Sequence, residues 1–128
     1  AFAQTVQFAD RTARDTGCKI CVYDFADETQ LKKSLDESAI LTNATNVGMA
    51  PDVDNMPIPN VRFLHPELIV SDIIYNPRQT MLMKQAASIG CPVFNGMYML
   101  LYQGAAAFEC WTGREMPVAA IKAKYFSD

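Results

Sequence analysis

Side chains able to do chemistry are sparse in this sequence, and the densest group is made of amides and a hydroxyl. Asn43-Ala44-Thr45-Asn46-Val47-Gly48-Met49 follows a short apolar run, Ala39 to Leu41, and leads into a loop holding Pro51, Pro57 and Pro59. In an α/β protein, a strand that stops on small polar residues and opens into a long loop is where ligands sit. On turn chemistry alone the same residues also suit an ordinary strand end.

The other candidates are weaker. Cys18 and Cys21 spell C-x-x-C, but a redox pair sits at a helix start after a strand, and this one runs into the strand-like Val22-Tyr23-Asp24-Phe25. A zinc site needs a second ligand pair at suitable spacing, and Cys91 and Cys110 stand far apart. All four cysteines are therefore read as structural thiols. His65, the single histidine, precedes Pro66 in a loop entering a strand and is not read as a general base. Asp52 and Asp54 lack the further oxygen ligands that calcium requires, so no metal site is expected.

At 128 residues, half of them apolar and a fifth charged, the chain has the size and composition of one packed domain. A net charge of −3 with no basic block gives no electrostatic reason to expect nucleic acid or an anionic membrane. No apolar run approaches the roughly 20 residues needed to span a bilayer, and no leader pattern stands at the start, which makes a cytoplasmic protein the expectation.

Hydrophobic spacing and punctuation supply the elements that hold these residues. Phe2, Val6, Ala9 and Ala13 mark one face of a helix closed by Gly17. Lys19 to Phe25 reads as a strand, and Asp27 caps a helix through about Asp36 with Leu31 and Leu35 inward. Ser38 to Thr42 is the next strand, expected to be covered on both faces. Leu68 to Tyr75 is the strongest strand, interrupted by Ser71 and Asp72 and stopped by Asn76-Pro77. Thr80 caps a helix from Met81 to about Ile89, ended by Gly90. Pro92 to Phe94 is a short strand. Asn95-Gly96 then opens a long apolar helix through Trp111, closed by Gly113, and a last helix starts near Pro117 and runs towards Tyr125. Strands alternating with helices predict an α/β fold with a parallel sheet. There is no internal repeat and no low-complexity segment.

Three ordered segments resemble the C-terminal part of shikimate dehydrogenases, above all the bacterial quinate/shikimate 5-dehydrogenase branch. They are Asn43 to Met49, then Tyr75-Asn76-Pro77 with Thr80, then Asn95-Gly96 through Met99-Leu100 and Tyr102-Gln103-Gly104-Ala105 to Phe108 and Trp111-Thr112-Gly113. The resemblance implies a Rossmann-like parallel sheet with flanking helices, and hydride transfer between NAD or NADP and a ring carbon of shikimate or quinate. It implies that Asn43, Ala44, Thr45 and Asn46 line the cofactor crevice and that Ile73, Ile74, Tyr75 and Asn76 pass near the nicotinamide ribose. It further implies that Gly96 lets backbone approach the nicotinamide, that Met99 packs on its ring, and that Gln103 donates to a substrate hydroxyl or carboxylate. On sequence alone Gln103 reads instead as a solvated helix flank. Phe108 and Trp111 read as core or as an anchor for a partner domain.

The chain departs from the family pattern in two places. Where the family commonly shows Gly-x-Gly-Met-Leu, this chain has Gly96-Met97-Tyr98-Met99-Leu100, so Tyr98 is expected to crowd the nicotinamide end. Asn46 stands where the quinate-accepting branch often carries lysine. No Gly-x-Gly-x-x-Gly occurs in the sequence. The expectation is therefore the C-terminal portion, residues 1–128, of a dinucleotide-binding domain whose first two strands and Gly-rich turn are absent, with no catalytic acid or base and no activity alone. In the order 3-2-1-4-5-6 the predicted strands are 3, 4, 5 and 6. Lys19 to Phe25 then lacks its native neighbour and the strand ending at Asn43 exposes an edge. Such a chain can be completed by the missing segment, can pair strand 3 directly with strand 4, or can exchange strands in a homo-dimer. The alternative reading is a non-catalytic module that uses this edge for self-association or partner binding.

Overall fold

The computed structural model of the chain describes residues 2–126. It divides into two compact units, one ending at Glu37 and the other starting at Ser38.

The first unit holds two helices, α1 (Phe2–Thr16) and α2 (Glu28–Asp36). Gly17 closes α1 with a left-handed φ of 71°, its N–H donating to Ala13 O at 2.9 Å. The Asp27 carboxylate accepts from Gln30 N at 2.9 Å and caps α2, and Leu35 is buried, both as the sequence predicts. Lys32 and Asp36 pair across one turn. The predicted strand Lys19 to Phe25 is not formed. Residues 19 to 24 have no regular structure, and Ile20, Tyr23 and Phe25 are exposed. A strand exists only through its neighbour's hydrogen bonds, and none of the described residues pairs with this segment.

The second unit is a three-stranded parallel sheet in the order β1-β2-β3, made of β1 (Ile40–Asn43), β2 (Ile69–Asp72) and β3 (Val93–Phe94). Ile40 pairs with Ile69 and Asn43 with Asp72, while Val70 pairs with Val93. Neighbouring sequential strands match positions 4, 5 and 6 of the doubly wound order. A short 3-10 helix, Val61–Phe63, interrupts the loop between β1 and β2. α3 (Met81–Ser88) links β2 to β3 and packs on both. α4 (Met97–Thr112) and α5 (Val118–Tyr125) come next and pack on each other. Leu68, Val70, Ile74, Leu82 and Ala86 are the centre of the core.

Caps fall where the sequence places them. Thr80 Oγ1 accepts from Met83 N, and Gly90 (φ 96°) and Gly113 (φ 66°) end α3 and α4 in the left-handed region. β1 departs from expectation, because Ile40 and Thr42 are exposed and only Asn43 is buried, as befits an edge strand. β2 is shorter than the predicted Leu68 to Tyr75. Its last ladder bond is Ile73 N to Asn43 O at 3.1 Å, after which the Asp72 side chain takes Ile74 N at 2.9 Å and turns the chain out of the sheet.

Among the described residues no helix is long and apolar enough to cross a membrane. All four cysteines are free thiols. Only Cys91 has the buried, structural character expected of all four. Burial pushes its thiol up, and the Sγ donates to His65 O at 3.2 Å. Thiols react as thiolates, so at pH 8 Cys91 is expected to react with an alkylating reagent at least about tenfold more slowly than Cys18, Cys21 and Cys110. Equal rates at all four sites, read by peptide mapping of the native protein, would contradict the burial of Cys91.

Candidate functional site

The carboxyl ends of all three strands lie on one side of the sheet, because parallel strands share a direction. The segments leaving β1 and β2 therefore meet the start of α4. Ala44, Thr45, Asn46, Met49 and Ala50 come from the loop after β1, Ile73 to Asn76 from the turn after β2, and Met99 from the first turn of α4. Together they line a cleft of about 470 Å³, inside the range of roughly 300–1,000 Å³ typical of small-molecule pockets. Met49, Ile73, Tyr75 and Met99 are each between 37% and 46% exposed, and all four face this one cleft. Large apolar side chains exposed together mark a binding surface.

Beneath the cleft is a polar network. Asp72 is 1% exposed; its Oδ2 accepts from Thr80 Oγ1 at 2.8 Å and from Asn43 Nδ2 at 3.1 Å, and its Oδ1 accepts from Ile74 N. Asn43 Nδ2 also donates to Val47 O at 3.1 Å, while its Oδ1 accepts from Thr45 N at 3.0 Å and Thr45 Oγ1 at 2.7 Å. These bonds hold both walls: the 44–47 loop through Asn43, and the 73–76 turn through Asp72. A buried carboxylate is tolerated because three donors replace its hydration.

Of the residues the sequence singles out, Ala44, Thr45, Asn46, Ile73, Ile74, Tyr75, Asn76 and Met99 line the cleft. Asn43 lies under it, its side chain fully engaged. Asn46 and Asn76 present amides that meet no protein partner among the described residues and can donate and accept towards a ligand. Gly96 also sits beneath the surface. A Cβ there would stand 1.9 Å from Ile73 O, and its N–H donates to Ile74 O at 3.1 Å, so glycine is what lets α4 close on the turn after β2. Gln103 is exposed, one turn beyond Met99 on the same helical face and about 6 Å further along the axis.

Tyr98 does not crowd this cleft. Its ring lies on another side of α4, with Lys122 Nζ 4.8 Å from its centroid and Phe126 at 6.4 Å, because successive helical residues point about 100° apart. Trp111 is 83% exposed and is not core. Sequence reasoning passed over Asp72, seen only as a break in an apolar run, and Ala50. A charged residue inside an otherwise continuous buried strand is the signal that points to Asp72. Among the described residues no group of three or more His, Cys, Asp or Glu side chains is placed to hold a metal.

Three adjacent parallel strands with a ligand-sized cleft across their carboxyl ends match one half of a doubly wound, Rossmann-like sheet. A family model described as the Shikimate 5'-dehydrogenase C-terminal domain matches residues 96–124. A shikimate dehydrogenase (NADP(+)) of Listeria innocua is 45% identical over 121 residues, which cover 94% of this chain and 42% of that protein. The crystal structure of shikimate 5-dehydrogenase from Listeria monocytogenes in complex with shikimate and NAD superposes with a TM-score of 0.86 at 44% identity, over 95% of this chain and 42% of that one. Quinate dehydrogenase from Corynebacterium glutamicum in complex with NAD gives a TM-score of 0.80 at 25% identity, over 99% and 44% of the two chains. In sequence and fold the chain is similar to these shikimate dehydrogenases, and it spans about two fifths of the length of the relatives it matches.

Gly96→Ala tests the packing under the cleft. The added methyl meets backbone, not a movable side chain, so the urea midpoint is expected to fall by the equivalent of about 3 kcal/mol or more. Gly104→Ala, where a Cβ meets nothing within 4 Å, is expected to be neutral or stabilising by up to about 1 kcal/mol. Equal behaviour of the two variants would contradict the close approach of α4 to Ile73.

Proposed function

We propose that residues 1–128 are the C-terminal portion of the NAD(P)-binding domain of a shikimate or quinate 5-dehydrogenase, and that the cleft takes the nicotinamide and its ribose. The observation that carries this reading is the position of the cleft: eight of the residues expected to meet the cofactor line one cavity across the strand ends. The chemistry of the lining fits the group. Met49, Met99 and Ile73 offer apolar faces to a planar ring, and Asn46 and Asn76 offer amides to a carboxamide or to ribose hydroxyls. The Listeria monocytogenes structure, which holds shikimate and NAD, supports the same assignment.

When bound, the nicotinamide supplies the carbon that gives or takes the hydride. This chain's residues bind and orient it. Met99 packs on the ring and excludes water from one side, and Gln103, one turn along α4, donates to a hydroxyl or carboxylate of the ring acid. Among the described residues no carboxylate, imidazole or amine lines the cleft. The group that exchanges a proton with the substrate oxygen therefore belongs to the rest of the enzyme, as does the helix N-terminus that receives the pyrophosphate. The residue that selects NAD or NADP comes after the second strand of such a sheet, so the reading covers both. The exposed Phe108 and Trp111 on α4 fit an anchor against the substrate domain. Nucleotide and ring acid are soluble metabolites, and we place the enzyme in the cytoplasm.

Titration of the 128-residue chain with NAD and NADP, with and without shikimate or quinate, is expected to show no saturation at micromolar cofactor and no hydride transfer. In the enzyme completed by its N-terminal part, Gln103→Ala is expected to raise the KM for the ring acid about tenfold, the equivalent of one lost hydrogen bond, with the cofactor KM unchanged. Saturable micromolar binding by the chain alone would contradict the need for the N-terminal part, and an effect of Gln103→Ala confined to the cofactor would overturn the role given to Gln103.

A further inference from the structure

A second cleft, of about 700 Å³, opens on the other side of the turn after β2, between α3, β3 and the end of α5. Its lining includes the apolar side chains of Met83, Val93 and Met97. Its walls carry two cations, Arg78 and Lys84, and exposed aromatic rings, with Phe94 59% and Tyr98 46% exposed. Among the described residues no acidic side chain lines it.

Neither cation is neutralised: among the described residues neither Arg78 nor Lys84 forms an ion pair. One guanidinium nitrogen of Arg78 donates to Tyr125 O at 3.4 Å, and its backbone carbonyl is held by Asn95 Nδ2 at 3.0 Å. The residue is thus tied to the segment just after β3 and to α5, while its remaining N–H groups have no partner among the described residues. Tyr98 already holds one cation, Lys122, over its ring, which adds positive charge near the rim. Positive charge beside exposed aromatic rings in a concave site favours a ligand that is both anionic and planar.

We infer that this cleft binds a small aromatic anion, its ring against Phe94 and Tyr98 and its carboxylate or phosphate on Arg78 and Lys84. The site is separate from the cofactor crevice and does not rest on the assignment of that crevice. The two clefts share one loop, with Asn76 lining the first and Arg78 the second.

The test is a titration of the chain monitored by amide nitrogen–proton correlation spectra, with benzoate and phenyl phosphate as probes and benzyl alcohol, acetate and inorganic phosphate as controls. Benzoate or phenyl phosphate is expected to give saturable shifts at residues 78–84 and 94–98, with dissociation constants of about 1 mM or tighter. The tighter of the two names the anionic group. Benzyl alcohol, which keeps the ring without the charge, and the two small anions are expected to bind at least about tenfold more weakly. Lys84→Gln is expected to weaken the aromatic anion several-fold, and Arg78→Gln with Lys84→Gln to abolish saturation. Binding is expected to weaken as salt is raised, through screening. No saturable shift at about 20 mM probe, benzyl alcohol binding as tightly as benzoate, or unchanged binding in the double variant would overturn the inference.

Discussion

The carboxylate of Asp72 is the constraint on which the second unit depends. It is buried without a cation beside it, and an ionised carboxylate in that position is held only if donors replace its water. Three do: the Asn43 amide from the neighbouring strand, the Thr80 hydroxyl at the head of α3, and the Ile74 N–H from its own turn. Thr80 also caps α3. One side chain therefore joins the end of β1, the end of β2 and the start of the helix that returns to β3, and among the described residues no buried side-chain polar atom is left without a partner.

The cleft is a consequence of that arrangement. Asp72 ends the β2 ladder by taking Ile74 N, which turns Ile73 to Asn76 up over the strand ends. Asn43, locked by Asp72, fixes the loop from Ala44 to Val47 as the facing wall. Gly96 then lets α4 approach Ile73 closely enough to bring Met99 over the gap. The polar network lies below and the apolar rims lie above, so the surface left for a ligand is apolar with a few amides at its edge. Among the described residues no carboxylate, imidazole or amine lines it.

How much of this could be read from the residues depends on how local the cause is. Helices and their ends were legible because their signals lie within one turn: Asp27 and Thr80 as N-caps, Gly90 and Gly113 as left-handed stops. The strand end at Asn43 and most of the cleft lining were legible from turn residues together with the family resemblance, whereas the end of β2 after Asp72 was not, because the apolar run continues to Tyr75. What failed was non-local. Lys19 to Phe25 has strand-like residues, but a strand requires a partner elsewhere in the chain. The role of Asp72 depends on Asn43, 29 residues away, and on Thr80, eight residues away. The direction of Tyr98 is set by helical phase against α5, which a missing glycine in a motif does not reveal.

The most direct measurement of the central claim is native-state hydrogen exchange in the wild-type chain and in Asp72→Asn, read at the Ile74 amide and at the Val70 amide. Val70 N donates to Pro92 O within the sheet and is independent of the carboxylate. Ile74 is expected to lose at least about tenfold of its protection in the variant while Val70 keeps most of its own, since a hydrogen bond to a charged acceptor contributes about 1.5–3 kcal/mol. Protection at Ile74 that is unchanged, or that falls only in step with Val70, would contradict the role given to Asp72 in holding the cleft.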